Sequence, residues 1–230
     1  AELPFADVLL SNARAGDVTT VNIQFTLANN LPADGGIRLD MPVGFTIDAA
    51  NAAVTSPFGV DGLFTVDNTV DGDNVFVIRR AGLGGVVFAG VTVTDLRVTL
   101  VTTAGVTGPT FFNVTTLTDE DTPIDQLLNL PGPVLTAGPL RDLTATLDVD
   151  EAGAQSSLSL SFRLANAWPE DGVLTIDFPV GFGFNEGGAT TVTSSDIPGL
   201  ESTVTLSGST MTLTRDGNED TLPTDSVISL

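Results

Sequence analysis

Residues 25–45 read FTLANNLPADGGIRLDMPVGF, and residues 162–182 read FRLANAWPEDGVLTIDFPVGF. Phe25 and Phe162 stand 137 residues apart (162 − 25), and the same offset holds without a gap from Leu3 to Phe45. It pairs Leu10 with Leu147, Ala15-Gly16 with Ala152-Gly153 and Asp40 with Asp177. About a third of these positions are identical, and most others stay apolar or polar together, which marks an internal repeat. Farther on, VFVIRRAG at 75–82 answers TMTLTRDG at 210–217. Whatever the first copy folds into, the second must be built on the same plan.

The period inside each copy is two. Val21, Ile23, Phe25 and Leu27 alternate with Asn22, Gln24 and Thr26, while Leu158, Leu160, Phe162 and Leu164 alternate with Ser159, Ser161 and Arg163. Such alternation puts one face of a strand on a core and the other in water, as in an antiparallel sheet. Ile37, Leu39 and Met41 repeat it after the turn, as do Leu174, Ile176 and Phe178. Asp34-Gly35 and Asp171-Gly172 supply turn chemistry, read here as glycine taking positive φ. Pro42 and Pro179 lack an amide donor and should end their strands. The first copy predicts strands near 6–10, 19–27, 36–41, 63–66, 74–79, 91–101 and 110–117, with LGGVVFAGVTV at 83–93 read as a buried strand. About seven short strands without helical periodicity predict an all-β chain of two tandem immunoglobulin-like β-sandwiches. The expected divisions are 1–128 for the first, 129–139 for a Pro/Gly-rich linker stiffened by its prolines, and 140–230 for the second.

The pattern of Phe-Thr-x-Ala-Asn, Pro-x-Asp-Gly and Pro-x-Gly-Phe, followed by GPTFFNVTTLTDEDTPID and an LTAGPL connector, resembles a family of long tandem repeats. These occur in surface and secreted proteins of algae, other protists and some microbes. The resemblance implies extracellular tandem sandwiches that build filaments, coats or stalks. It carries no shared active site, so it implies no catalytic residue.

Composition narrows the chemistry. The formal net charge is −21, from 29 acids against eight basic residues, every one of them arginine. Such a surface repels phosphate backbones and anionic lipid, so no nucleic-acid partner is expected. No run approaches the roughly 20 apolar residues of a membrane-spanning helix. The chain holds no Cys, His, Lys or Tyr. Thiolate nucleophiles, Ser-His-Asp relays, the usual zinc sites, Schiff bases and P-loops are thereby excluded. Carboxylate pairs survive this list, but the expectation is a protein that is not an enzyme.

Candidate binding positions are acidic loops. Asp67, Asp71 and Asp73 cluster in VDNTVDGDN, Asp148, Asp150 and Glu151 in DVDEAG, and Asp119, Glu120 and Asp121 in TDEDT. Hard oxygen ligands on flexible loops suit Ca²⁺, yet none fits the EF-hand pattern and a solvated acidic turn is the commoner explanation. Asp150-Glu151 is matched by Ala13-Arg14 in the first copy, so no site there belongs to the repeat. The expectation is therefore no cofactor, with Ca²⁺ as the alternative. Asn113 heads the sequon NVT, outward on a strand whose Phe112 and Val114 face inward, where a covalent glycan can attach. Trp168, opposite Leu31, reads as a core or junction aromatic, with a sugar-stacking platform as the rival.

Leu230 falls opposite roughly Thr94 of the first copy. About two strands of the second sandwich then have no counterpart in this chain, and either further repeat sequence or a neighbouring subunit would supply them. The functional expectation is a structural subunit of an extracellular filament or cell-surface coat, a head-to-tail homopolymer joined through strand edges. The alternative is a surface adhesin that binds Ca²⁺ or glycans through its acidic loops.

Overall fold

The computed structural model describes residues 1–55, 57–68, 72–82, 84–184, 192–194, 196–197, 203–215 and 220–230. It is all-β: the described residues form fifteen strands and no helix. Two compact units divide the chain, Ala1–Gly138 and Pro139–Leu230.

The first unit contains β1 (Phe5–Leu10), β2 (Val18–Thr26), β3 (Gly36–Asp40), β4 (Thr46–Ile47), β5 (Phe64–Asp67), β6 (Val75–Arg80), β7 (Thr92–Thr102), β8 (Phe111–Leu117) and β9 (Pro123–Pro131). One sheet runs β1-β2-β7-β4 and the other β5-β6-β3-β8-β9, every pair antiparallel. Together they make an immunoglobulin-like sandwich. Alternation does what its period requires. Val21, Ile23 and Phe25 of β2 are buried against Ile37 and Leu39 of β3, Phe76 and Ile78 of β6, and Phe112 and Val114 of β8.

The second unit repeats this plan with β10 (Arg141–Leu147), β11 (Leu158–Arg163), β12 (Val173–Asp177), β13 (Thr203–Ser207), β14 (Thr210–Thr214) and β15 (Val227–Ser229). Its sheets run β10-β11-β15 and β12-β14-β13. These match β1-β2-β7 and β3-β6-β5 of the first unit. Counterparts of β8 and β9 are not among the strands of the described residues. Phe162, Leu164, Trp168, Met211, Leu213 and Ile228 form the centre of its smaller core.

Four expectations need correction. The expected linker 129–139 is, through Gly138, part of the first unit. Residues 129–131 belong to β9, Leu135 is buried in the core, and its backbone exchanges two hydrogen bonds with Gly108. Thr136 N donates to Ala13 O at 2.9 Å, so the prolines bend a strap across the sandwich instead of spacing two beads. Strand β9 itself was unforeseen because its one fully buried residue is an acid, Asp125, which inverts the apolar alternation of an inward face. The apolar stretch 83–93 is not a buried strand as a whole: Val86 and Phe88 are exposed, and only its end enters β7.

The last correction concerns Gly35 and Gly172. Neither adopts positive φ. A Cβ on Gly35 would lie 2.7 Å from Leu117 O and 2.8 Å from Leu31 Cδ1, and one on Gly172 only 2.0 Å from Trp168 Nε1. Close approach demands glycine here, because the loop folds directly over the side chain at the Leu31/Trp168 position. Trp168 is accordingly a core residue, buried at the end of its strand and bridged to Leu222 as Leu31 is to Val87.

Candidate interaction surface

Strand β3 is paired on both edges, with β6 on one side and β8 on the other. Its repeat counterpart β12 pairs with β14 and, among the described residues, with no other strand. Among the described residues, the other edge of Val173–Asp177 has no ladder partner. Unpaired edges of this kind are templates for strand addition.

The side chains around that edge tell the same story. Both copies of Pro-Val-Gly-Phe form one turn: Phe45 N donates to Pro42 O at 3.1 Å, and Phe182 N to Pro179 O at 3.2 Å. Gly44 and Gly181 hold φ of 88° and 102°, the left-handed conformation that only glycine adopts cheaply. Yet Phe45 is 1% exposed and Phe182 is 49% exposed. The difference is β8. Phe45 meets Phe112 edge-to-face, centroids 5.9 Å apart, whereas Phe182 tilts against Phe178 at 6.1 Å and, among the described residues, meets no counterpart of Phe112.

The opposite wall shows the same gap. In the first unit Leu3, Ala6 and Val8 are buried beneath β9. Their counterparts Leu140, Leu143 and Ala145 are exposed, and every residue of β10 is exposed. Leu143 is 59% exposed where Ala6 is 7%. Residues of β10 and β12 are thus more exposed than their counterparts in the first unit.

Two polar devices escaped the sequence reading. Asp125 is fully buried, and its carboxylate accepts from Ala28 N at 3.1 Å, Asn29 N at 2.9 Å and Asn29 Nδ2 at 2.6 Å, tying β9 to the end of β2. A carboxylate can be buried at tolerable cost when its lone pairs are filled in this way. The other device occurs in both copies. Arg80 and Arg215 are buried at equivalent places. Arg80 donates to Pro32 O, to Asp61 O at 3.1 Å, to Asp61 Oδ1 at 2.9 Å and to Gly85 O at 2.7 Å. Arg215 donates to Trp168 O at 2.9 Å, Pro169 O at 2.8 Å and Asp220 O at 2.6 Å, with its guanidinium 5.8 Å from the Trp168 ring centroid. Burial pulls the Arg80 pKa down, and the Asp61 charge opposes that. The aligned VFVIRRAG and TMTLTRDG held the signal, since arginine recurs there at one repeat position.

The acidic loops behave as separate turns. Asp67 lies on β5, 3.5 Å from Arg79 Nε, while Arg79 also reaches both Asp121 oxygens at 2.5 and 3.0 Å. The Arg79 hydrogen bond holds the Asp121 carboxyl below its ordinary range. Asp73 is exposed in the turn before β6, and Asp71 falls outside the described residues. Asp148 turns back on its own loop, accepting from Ser156 Oγ at 2.5 Å and Ser157 N at 2.6 Å, and these bonds lower its pKa. Asp150 and Glu151 are exposed beyond it. Among the described residues no three acidic side chains converge as a metal site would need. Asn113 lies half-buried on the outer face of β8; its Oδ1 accepts from Asn129 N at 2.8 Å and its Nδ2 donates to Asp40 Oδ2 at 3.4 Å.

No family model matches the chain, and no curated protein matches it. Among solved structures it is similar to the C-terminal domain of the Streptococcus pyogenes antigen I/II-family protein AspA, with 9% identity and a TM-score of 0.39 over 99% of this chain and 90% of that one. It is also similar to the type II cohesin dyad from the adaptor ScaA scaffoldin of Acetivibrio cellulolyticus, with 12% identity and a TM-score of 0.32 over 97% and 83%. The C-terminal domain of the Streptococcus agalactiae AgI/II polypeptide BspA gives 9% identity and a TM-score of 0.35 over 97% and 89%. Likenesses this distant carry nothing about this chain beyond what its own strands show. No helix among the described residues is long and apolar enough to cross a membrane.

Proposed function

We propose that this chain is a structural subunit of an extracellular filament or cell-surface coat, and that its sandwiches join neighbouring subunits through strand edges. What supports this reading is the tandem pair of immunoglobulin-like units, whose open sheets end in edge strands such as β1, β4, β5 and β9 that can pair with a neighbour. The reading gives the subunit itself as its main partner, in a contact that repeats head to tail. A heterologous contact of that kind does not close on itself and so propagates as a fibre. A surface without lysine and with net charge −21 suits a chain held at high local density in a coat, where like charges limit sideways clumping.

Covalent sugar belongs to the same reading. Asn113 Nδ2 carries two hydrogens, of which one is directed at Asp40. A glycan on the other leaves that hydrogen bond in place, so attachment at Asn113 does not oppose the fold. Intact-mass measurement of secreted protein before and after amidase treatment checks this, and a mass equal to the bare polypeptide rejects it. For the filament itself the test is electron microscopy of native material and of concentrated purified chain. Ordered fibres are expected; dispersed particles at every concentration would reject the reading.

A further inference from the structure

Strand β13 (Thr203–Ser207) is the outer strand of the sheet β12-β14-β13. Its twin β5 is outermost in the same way and, among the described residues, pairs with β6 alone, although the first unit also holds β8 and β9. Those two strands join beyond β3, on the far side of the sheet. An open edge at β13 is therefore part of the repeat's plan.

The two edges differ in charge. β5 ends in Asp67, and the other edge strands longer than three residues carry Asp7 in β1, Asp125 in β9, Arg141 and Asp142 in β10, and Asp177 in β12. β13 reads TVTLS and its neighbour β14 reads TMTLT, so neither holds an ionisable side chain. Charged side chains are a common way for a sheet to keep its edge from pairing. In a chain of net charge −21, a neutral edge is also where a second copy meets least repulsion.

The hairpin decides which backbone groups face outward. Ser207 and Thr210 close the two-residue Gly208-Ser209 loop as a hydrogen-bonded pair. Alternation then turns the Thr205 backbone toward β14, and the N–H and C=O of Val204 and Leu206 toward the free edge. Leu206 stays 37% exposed although it shares the core-facing side of the sheet with the buried Met211 opposite it.

We propose that β13 pairs antiparallel with β13 of a second copy of this chain, across a twofold axis at Thr205. This adds a side-by-side contact to the strand-edge reading and rests on it. A register that keeps the two faces of the sheet matched sets core-side residues opposite core-side residues. Among such registers, the one centred on Thr205 pairs the whole strand. Thr205 lies opposite Thr205, Val204 opposite Leu206 and Thr203 opposite Ser207 of the second copy. Hydroxyl residues meet on one face and aliphatic residues on the other, and both kinds of cross-strand pair stabilise sheets. Val204 and Leu206 supply the ladder, so the two sheets continue as one.

The test uses the full chain, which contains no cysteine. Across the axis the Thr205 Cα atoms form a non-hydrogen-bonded pair about 4.5 Å apart, within the roughly 4.4–6.8 Å a disulfide spans. Two Ser207 residues would stand about 13 Å apart along the strands, and two Thr212 residues about 14 Å apart across them. Thr205→Cys, Ser207→Cys and Thr212→Cys chains are oxidised with glutathione disulfide and resolved without reductant. Thr205→Cys should form covalent dimer at least about tenfold faster than either of the others. Emission of Trp168, the sole tryptophan and a member of the second core, checks that each variant keeps its fold. No dimer at Thr205→Cys, or equal rates at all three positions, overturns the inference. Sedimentation gives a rescue test: Thr205→Asp and Thr205→Lys should each weaken pairing about tenfold by setting like charges on the axis, and their equimolar mixture should restore it. A mixture no better than its components also overturns the inference. Native fibres without a trapped dimer would leave the subunit role standing and refute this contact. A trapped dimer without any fibres would do the reverse.

Discussion

Replacing Asp125 by alanine should weaken the first sandwich and spare the second. Asp125 is fully buried and accepts three hydrogen bonds, from Ala28 N, Asn29 N and Asn29 Nδ2, at 2.6–3.1 Å. Hydrogen bonds to a charged group contribute about 1.5–3 kcal/mol each when buried. Asn29 is exposed, so its two donors can turn toward water once the carboxylate is gone, whereas the half-buried Ala28 amide cannot do so without moving the end of β2. Counting one full bond and a fraction of the other two gives a loss of about 3 kcal/mol, against about 5–15 kcal/mol for a whole domain. Asp125→Asn keeps one acceptor and the shape, and should lose about half as much. A chain of two units need not melt as one transition, so native-state amide exchange is the assay. Amides of β2, β3, β8 and β9 should exchange faster in Asp125→Ala, while those of β11 and β14 keep their rates. A loss below about 1 kcal/mol would show that water replaces the carboxylate adequately and that the link from β9 to β2 is incidental. Equal loosening of both units would refute their independence.

The remaining predictions concern the turns and the charges. Gly172→Ala should destabilise the second unit severely and shift Trp168 emission, because the new methyl carbon would lie 2.0 Å from the indole nitrogen; unchanged emission would mean the loop simply lifts away. Asp61 accepts from Gly85 N at 3.1 Å and from Arg80 Nη2 at 2.9 Å, and these contacts, the Gly85 amide foremost, hold its carboxyl below the ordinary 3.8. A depressed folded pKa gives stability that is present above the unfolded value and lost as pH falls through the folded one. Asp61→Asn should therefore lower the urea midpoint at neutral pH, with the gap to the parent closing below about pH 4; a gap that persists in acid would assign the effect to packing. Chelation should leave the melting temperature unchanged, since Arg79 already pairs with Asp67 and Asp121, and Asp148 is bonded within its loop. A fall of tens of degrees would establish calcium as a structural ligand.

Strand identity, sandwich architecture and the two-unit plan were legible in the residues, because a half-buried strand must alternate and a repeat must refold its own pattern. All seven strands expected in the first copy are present within a residue or so of their predicted bounds. The adjacency of Phe112 and Val114 to the core was equally plain. Partner-dependent features were not. Strand β9 hides behind an acid that is buried only because the end of β2 offers three donors, a fact about residues 96–97 positions away. Arg80 and Arg215 are buried because the loops at Pro32 and Pro169 close over them with carbonyl oxygens, which the strand pattern alone does not show. Gly35 and Gly172 read as turn glycines with positive φ and are instead required by close approach to a side chain. The Pro-Val-Gly-Phe turns make the division sharpest. Local sequence determines the turn, which is the same in both copies, but burial of its phenylalanine depends on a strand about 70 residues downstream in the chain. The same residue type in the same turn is therefore 1% exposed at Phe45 and 49% exposed at Phe182, since burial belongs to the set of strands that meet and not to the segment that supplies one of them.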